Sequence, residues 1–145
     1  MWKSGSVALL ALLCALALPA GSLAAKPRSG KFEGKVAAGY GGPQMALVVK
    51  RGKVQDVLAR MFHQCGGGSQ QQTIVAPPKR FSISRSGRFS GRSEETIEGV
   101  GTEVVWVKGR FTSASRVTGT IRSQSTGSGQ TCDTLERRFT LTLKR

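Results

Sequence analysis

The single histidine, His63, is the residue that any Ser-His-Asp catalytic site in this chain would have to use. Its acidic partner would be Asp56 or Asp133, and the chain has no Gly-x-Ser-x-Gly segment of the kind that presents a nucleophilic serine. A histidine two positions from a cysteine more often packs beside a disulfide. We therefore predict no catalytic residue and a protein that is not an enzyme.

His63, Cys65 and Cys132 are also the residues from which a metal site could be built. A closed zinc site takes four ligands, usually with short local spacing, whereas the two cysteines lie far apart in the sequence. Oxidation to a disulfide would remove both sulfurs as thiolate ligands. We predict no metal and no other cofactor.

Four glutamates, Glu94, Glu95, Glu98 and Glu103, lie close together and make up half of the 8 acidic residues. Paired carboxylates can hydrolyse glycosides when one acts as the acid and the other as nucleophile or base. The same cluster in a polar, Gly-rich stretch also suits a solvated strand edge that resists pairing with other chains. A hydrolase with an acidic site within residues 94–103 is therefore one alternative function.

Basic residues recur at the predicted turns. If these turns share one end of the fold, they form a positive patch able to bind phosphate, sulfate or teichoic-type polymers. The competing interpretation is solvated charge dispersed over the surface. The residues predicted for the anion-binding patch are Lys50, Arg51, Lys53, Arg85, Arg88, Arg92, Lys108 and Arg110.

The whole chain is strongly basic, with 22 Lys and Arg and a formal net charge of +14. Such an excess favours an anionic cell-surface polymer as partner, although it also keeps an exported protein soluble without one. Aromatic residues able to stack on bases make up only 6% of the chain, so nucleic acid is not the expected partner.

The N-terminus has the layout of a cleaved export signal. An apolar run covers residues 7–18, and small residues then lead to a cut after Ala24 or Ala25. A membrane-spanning helix needs roughly 20 apolar residues, so we predict no transmembrane anchor after cleavage. The predicted organisation is a signal peptide at 1–25, a flexible segment at 26–31 and a secreted domain at 32–145.

Cys65 and Cys132 remain once the signal, which contains Cys14, is removed. In an exported chain two cysteines favour a disulfide, and only one pairing is possible here. Closing a loop of about 67 residues stabilises a fold by roughly 4 kcal/mol in the chain-entropy treatment. The bond would also bring together the Gly/Ser/Gln loops beside the two cysteines. The alternative is two free thiols.

The elements that position these residues are short β-prone runs separated by Gly-centred turns, about 8–12 residues apart. Residues 54–64 are ambiguous, because Val54, Val57 and Met61 also follow helical spacing. A strand would place Val54 on the face opposite Val57 and Met61. The short connection to the preceding strand favours this second interpretation, with Arg51, Gly52 and Lys53 as the hairpin turn.

Several stretches are predicted as connections rather than strands. They are an acidic loop or edge at 94–101, a turn at Lys108 and Gly109, and polar loops at 66–72 and 123–130. The side chains predicted to point inward are Phe32, Leu47, Val49, Phe81, Ile83, Phe89, Val105, Val107, Phe111, Ile121, Phe139 and Leu141. The pattern predicts a single all-β domain, an antiparallel sandwich or barrel-like fold of about 7–9 short strands with one disulfide.

A set of motifs runs through the secreted part: GKV at 52–54, a cysteine at 65, GRFSGR at 87–92, KGRFTSASRVTGTIR at 108–122 and CDT at 132–134. In order and spacing they resemble small secreted proteins of high-GC, chiefly actinobacterial, bacteria over most of residues 32–145. The resemblance implies an all-β, sandwich-like domain with its cysteines paired and a strand at 54–64. Relatives commonly continue the last motif with Gly and a Trp-containing strand, whereas Leu135 and Phe139 stand here, so the last turn is expected to differ. The resemblance implies no activity.

Taken together, the sequence predicts a secreted, non-enzymatic β-domain with a structural or binding role outside the cell or at its envelope. A basic binder of polyanions or cell-wall polymers is the first alternative, and the acidic hydrolase is the second.

Overall fold

The structure is a computed structural model that describes residues 25–145. Its ten strands form one antiparallel sheet, which confirms the predicted all-β fold. A 3-10 turn at Gly66–Gly68 follows the third strand. The strands are β1 (Gly30–Val36), β2 (Met45–Lys50), β3 (Lys53–Cys65), β4 (Gln70–Val75), β5 (Phe81–Ser82), β6 (Arg88–Ile97), β7 (Gly101–Ser113), β8 (Arg116–Gly127), β9 (Gln130–Asp133) and β10 (Arg137–Leu143).

Two predictions concern the relation of the chain to a membrane. Apart from Ala25, the predicted signal at 1–25 lies outside the described residues. Within residues 25–145 no helix is both long enough and apolar enough to cross a bilayer.

The sheet curls until its strands meet in a ring. β1 lies between β10 and β2, β2 pairs with β3, and β8 pairs with both β9 and β10. β9 joins β8 to β3 through the pairs Gln64–Asp133 and Cys65–Cys132, and the predicted disulfide closes this junction. β7 and β6 extend the sheet from the other edge of β8, and β4 and β5 pair with the other edge of β3.

The core fills the inside of this curled sheet. Of the predicted inward side chains, all are buried except Ile83, which is partly buried against the same cluster. The ring of Phe111 lies 5.4 Å from that of Phe32 and 5.8 Å from that of Phe89, measured between centroids. The buried side chains of the apolar core cluster that the prediction did not include are Val36, Met45, Val54, Val57, Ala59, Met61, Val75 and Val117.

The ambiguous segment at 54–64 is a strand that contains a bulge. Asp56 adopts a φ of 50°, and the pairing of β2 with β3 shifts register at this point. Because the bulge adds one residue, Val54 points to the same inner face as Val57, and the prediction that the two lie on opposite faces was wrong. The bulge also explains the helix-like spacing, since it separates two inward valines by three positions.

The β6–β7–β8 strands are longer than predicted. Residues 94–97 belong to β6, which lies at an edge of the sheet, and the connection to β7 is confined to residues 98–100. Of the loop or edge predicted at 94–101, the edge is therefore right for 94–97 and a loop there was wrong. Much of 123–130 and residues 70–72 are likewise strand rather than loop. These segments are rich in Ser, Gly and Gln and show little apolar alternation. Only their pairing with neighbouring strands identifies them as strands, which accounts for the errors.

The predicted turn at Lys108 and Gly109 was also wrong, because β7 passes straight through it. Gly109 pairs with Phe89 on one side and with Gly119 on the other, and Gly119 pairs with Phe139. A Cβ atom at Gly109 would lie 2.7 Å from Cε1 of Phe89. The phenylalanine rings therefore occupy the space that side chains at these glycines would take, which is why glycine stands inside a strand here.

Candidate functional site

Backbone hydrogen bonds join several turns at one end of the curled sheet. Ile83 donates to Gly52 at 3.1 Å, linking the β5–β6 connection to the β2–β3 turn, and Phe111 donates to Gly87 at 2.9 Å. At the β7–β8 turn, Ala114 accepts from Arg28 and Ser115 accepts from Leu143. We call this the basic end, comprising residues 26–31, 50–53, 82–88, 110–116 and 143–145.

The basic end carries exposed cations and no Asp or Glu within its described segments. Lys31 and Lys144 form ion pairs with Glu33, which lies on β1 just inside this end. Its other basic side chains form no ion pair with any described residue. The cations of the basic end are Lys26, Arg28, Lys31, Lys50, Arg51, Lys53, Arg85, Arg88, Arg110, Arg116, Lys144 and Arg145.

Two pairs of like charges face each other across neighbouring strands at this end. Lys50 lies directly opposite Lys53, and Arg88 lies directly opposite Arg110. Like charges in such positions destabilise a sheet, by roughly 0.2–1 kcal/mol per pair. An anion bound between them would relieve that repulsion, so this end is built at a cost in stability that binding would offset.

Of the eight residues predicted for the patch, six lie at the basic end and two do not. Arg92 is paired with Glu94 at 2.5 Å, and Lys108 is paired with Glu136 at 3.2 Å, so acidic side chains already compensate both. Arg92 also stacks on Trp106, at 5.7 Å from the ring centroid. Arg110 lies within β7 rather than at a turn. It belongs to the patch because it faces Arg88 across the strands.

Several contributors to the basic end were missed by sequence reasoning. Arg116 opens β8 beside the β7–β8 turn, while Lys26 and Arg28 precede β1. A cavity of about 390 Å³ lies among Lys26, Val49, Ile83 and Arg85. Residues 26–31 and 143–145 were not expected to lie beside the turns, because only the folded sheet brings positions so distant in sequence together.

Arg122 and Asp133 form a two-point ion pair beside the disulfide. Arg122 donates from Nε to Oδ1 at 3.1 Å and from Nη2 to Oδ2 at 2.5 Å, and the backbone amide of Leu135 donates to Oδ1 at 2.7 Å. The Arg122 hydrogen bonds hold the pKa of Asp133 below its ordinary value, and in turn Asp133 raises the pKa of Arg122. Asp133 thus has a structural partner on the sheet.

His63 lies at the opposite end of the sheet, next to the disulfide. It follows Met61 by two positions on the inner face of β3, and its Nε2 atom is buried without a hydrogen-bond partner among residues 25–145. The side-chain ligand atoms of His63, Cys65 and Cys132 lie within 4.8 Å of one another. Because the two sulfurs are bonded to each other, they do not serve as thiolate ligands in this state.

The disulfide brings together the two polar loops, as predicted. Gln130 at the β8–β9 turn donates from Nε2 to the carbonyl oxygen of Gly66 at 3.0 Å. A disulfide is typical of proteins in oxidising compartments, so the bond is compatible with an extracellular protein.

The clustered glutamates separate onto different faces of the β6–β7 hairpin. Glu94 points to the outer face with Arg92, whereas Glu95 and Glu103 are direct partners across the strands and share the inner face. Glu103 accepts a hydrogen bond at Oε1 from the buried hydroxyl of Ser123 at 2.7 Å. The acidic hydrolase site stays a prediction, and Glu95 and Glu103 are the two of its glutamates that face each other.

No protein-family model, curated protein or solved structure matches this chain. The resemblance to secreted proteins of high-GC bacteria therefore stays a prediction, and the functional argument depends on the geometry described above.

Proposed function

We propose that this chain is an exported, non-enzymatic binding domain that takes an anionic polymer at its basic end. The observation that carries the proposal is two like-charge pairs at opposed strand positions, Lys50 with Lys53 and Arg88 with Arg110, within a set of exposed cations. Arg92, Lys108 and Arg122, elsewhere on the sheet, are paired with acidic side chains, whereas these four cations have no acidic partner among the described residues. Sulfate, phosphate or carboxylate groups repeated along a polymer would satisfy several of these cations at once.

The test compares dextran sulfate with uncharged dextran, two polymers that share a backbone and differ in charge. We expect the protein to bind dextran sulfate only, with an affinity that falls steeply as salt rises, since exposed charges are screened beyond about 10 Å at 0.1 M salt. Parallel binding measurements with a teichoic-type polymer and with polyglutamate then distinguish phosphate from carboxylate as the recognised group.

A matched pair of variants locates the site. The variant Lys50→Gln, Arg51→Asn, Lys53→Gln removes three cations from the β2–β3 turn, with Asn chosen because Arg51 has a φ of 52° that Asn tolerates. The control Lys35→Gln, Lys79→Gln, Arg138→Gln removes the same charge from elsewhere on the sheet. Each cation near an anionic surface contributes about 1 kcal/mol at low salt, so we expect about a hundredfold weaker binding for the turn variant.

The control should lose much less affinity, and both variants should keep the wild-type melting temperature to within a few degrees. Equal losses for the two variants would show that net charge alone governs binding, which contradicts a site at the basic end. Binding to both dextrans, or to neither, would contradict the proposed function itself.

A further inference from the structure

A cavity of about 430 Å³ lies at the end of the sheet opposite the basic end. Its walls come from four parts of the chain: β3 with the disulfide, β4, the β6–β7 hairpin and the β8–β9 hairpin. We call it the mouth cavity, lined among others by His63, Ile74, Ile97, Val100 and Glu103.

The rim of the mouth cavity is apolar and exposed. Ile74, Ile97 and Val100 are 57%, 45% and 65% exposed, and they come from two strand pairs that are not neighbours in the sheet. Large apolar side chains that gather around a cavity at high exposure are typical of a surface that receives an apolar group.

The charge inside the cavity is opposite in sign to that of the protein. Glu103 is the only Asp, Glu, Lys or Arg among the described residues that line it, although the chain carries +14 overall. Glu95 faces Glu103 across the hairpin, and Glu98 lies in the turn of the same hairpin.

One polar group in the cavity, the Glu103 carboxylate, is held by a hydrogen bond. Ser123 engages only Oε1 of Glu103, which orients the carboxylate and leaves Oε2 for a ligand. His63 also lines the cavity, and its Nε2 atom is buried without a hydrogen-bond partner among the described residues.

We infer that the mouth cavity binds a small organic cation with an apolar body. Its ammonium group contacts the carboxylate of Glu103, and its hydrocarbon part lies against Ile74, Ile97 and Val100. This site is independent of the polymer site, because it lies at the other end of the sheet and has the opposite charge.

The experiment titrates three probes of equal chain length, hexylammonium, hexanol and hexanoate, into the ¹⁵N-labelled protein. We expect hexylammonium to shift the amide resonances of residues 63, 74, 97–103 and 125–130 and to bind most tightly. Glu103→Gln, which keeps an oxygen for Ser123, should weaken hexylammonium binding about tenfold or more because a charge-assisted contact is lost. Glu136→Gln, a carboxylate paired with Lys108 outside the cavity, is the control and should leave binding unchanged.

A second variant, Ile97→Thr, tests the apolar rim at a position on β6 that is 45% exposed. It should weaken hexylammonium and hexanol binding alike. Hexanoate or hexanol binding as tightly as hexylammonium, no binding of any probe, or an unchanged affinity in Glu103→Gln would overturn the inference. Glu103→Gln should leave dextran sulfate binding unaffected, so a failure at one end is distinguishable from a failure at the other.

Discussion

Removal of the disulfide gives the sharpest test of how the fold is held together. β3 and β9 share only two residue pairs, Gln64–Asp133 and Cys65–Cys132, so the covalent bond closes a seam with little other pairing. The cysteines are separated by 67 positions. For a loop of this length the chain-entropy treatment gives a change of about 15 cal/mol/K, or about 4 kcal/mol at 25 °C.

That loss is large compared with the stability of a domain of this size, about 5–15 kcal/mol. With about 2.1 cal/mol/K of unfolding entropy per residue, 4 kcal/mol lowers the melting temperature by about 15 °C. The assay is urea and thermal unfolding of the oxidised protein, the reduced protein and Cys65→Ala/Cys132→Ala.

Comparison of the last two samples separates the bond from the packing of the sulfur atoms. We expect the reduced protein and the double variant to lose similar amounts of unfolding free energy. A loss below about 1 kcal/mol in both would refute the argument, because it would mean that the β3–β9 seam is held by other contacts.

Two further predictions concern single side chains. Asp133→Asn should lower the free energy of unfolding by about 1 kcal/mol near pH 7. The folded-state pKa of Asp133 lies below 3.8, so this stabilisation is complete above about pH 4 and is lost on acidification; an equal effect near pH 2 would contradict it. Gly119→Ala should destabilise by about 1–3 kcal/mol, since its Cβ would lie 2.7 Å from Cζ of Phe139, whereas the outward Thr120→Ala should be nearly neutral in the same urea titration.

The sequence predicted the parts of the fold that depend on local pattern. Alternation of apolar residues located most of the core, and the turn at Arg51 and Gly52 is present with both φ values positive, at 52° and 70°. The disulfide followed from the cysteine count and the expected compartment. The core pattern and the turn are encoded by residues that are close in sequence. The disulfide follows because only two cysteines remain once the predicted signal is removed.

The parts that were missed depend on residues distant in sequence. Gly109 resembles a turn until Phe89 and Gly119 are placed beside it, and Val54 was assigned to the wrong face because the strand interpretation assumed unbroken alternation without a bulge. Convergence of the basic turns was a conditional prediction. Backbone hydrogen bonds join turns that carry six of the predicted residues, and anion binding by these residues stays a prediction. Arg92 does not belong to the patch because Glu94, two positions further along the same strand, compensates its charge.

The most direct test of polymer binding at the basic end is an NMR titration of the ¹⁵N-labelled protein with a short sulfated dextran. The proposed function predicts amide shifts concentrated at residues 50–53, 83–88 and 110–116, which decrease as salt is raised. Shifts centred on residues 98–100 and 128–129, or spread evenly over the sheet, would contradict it.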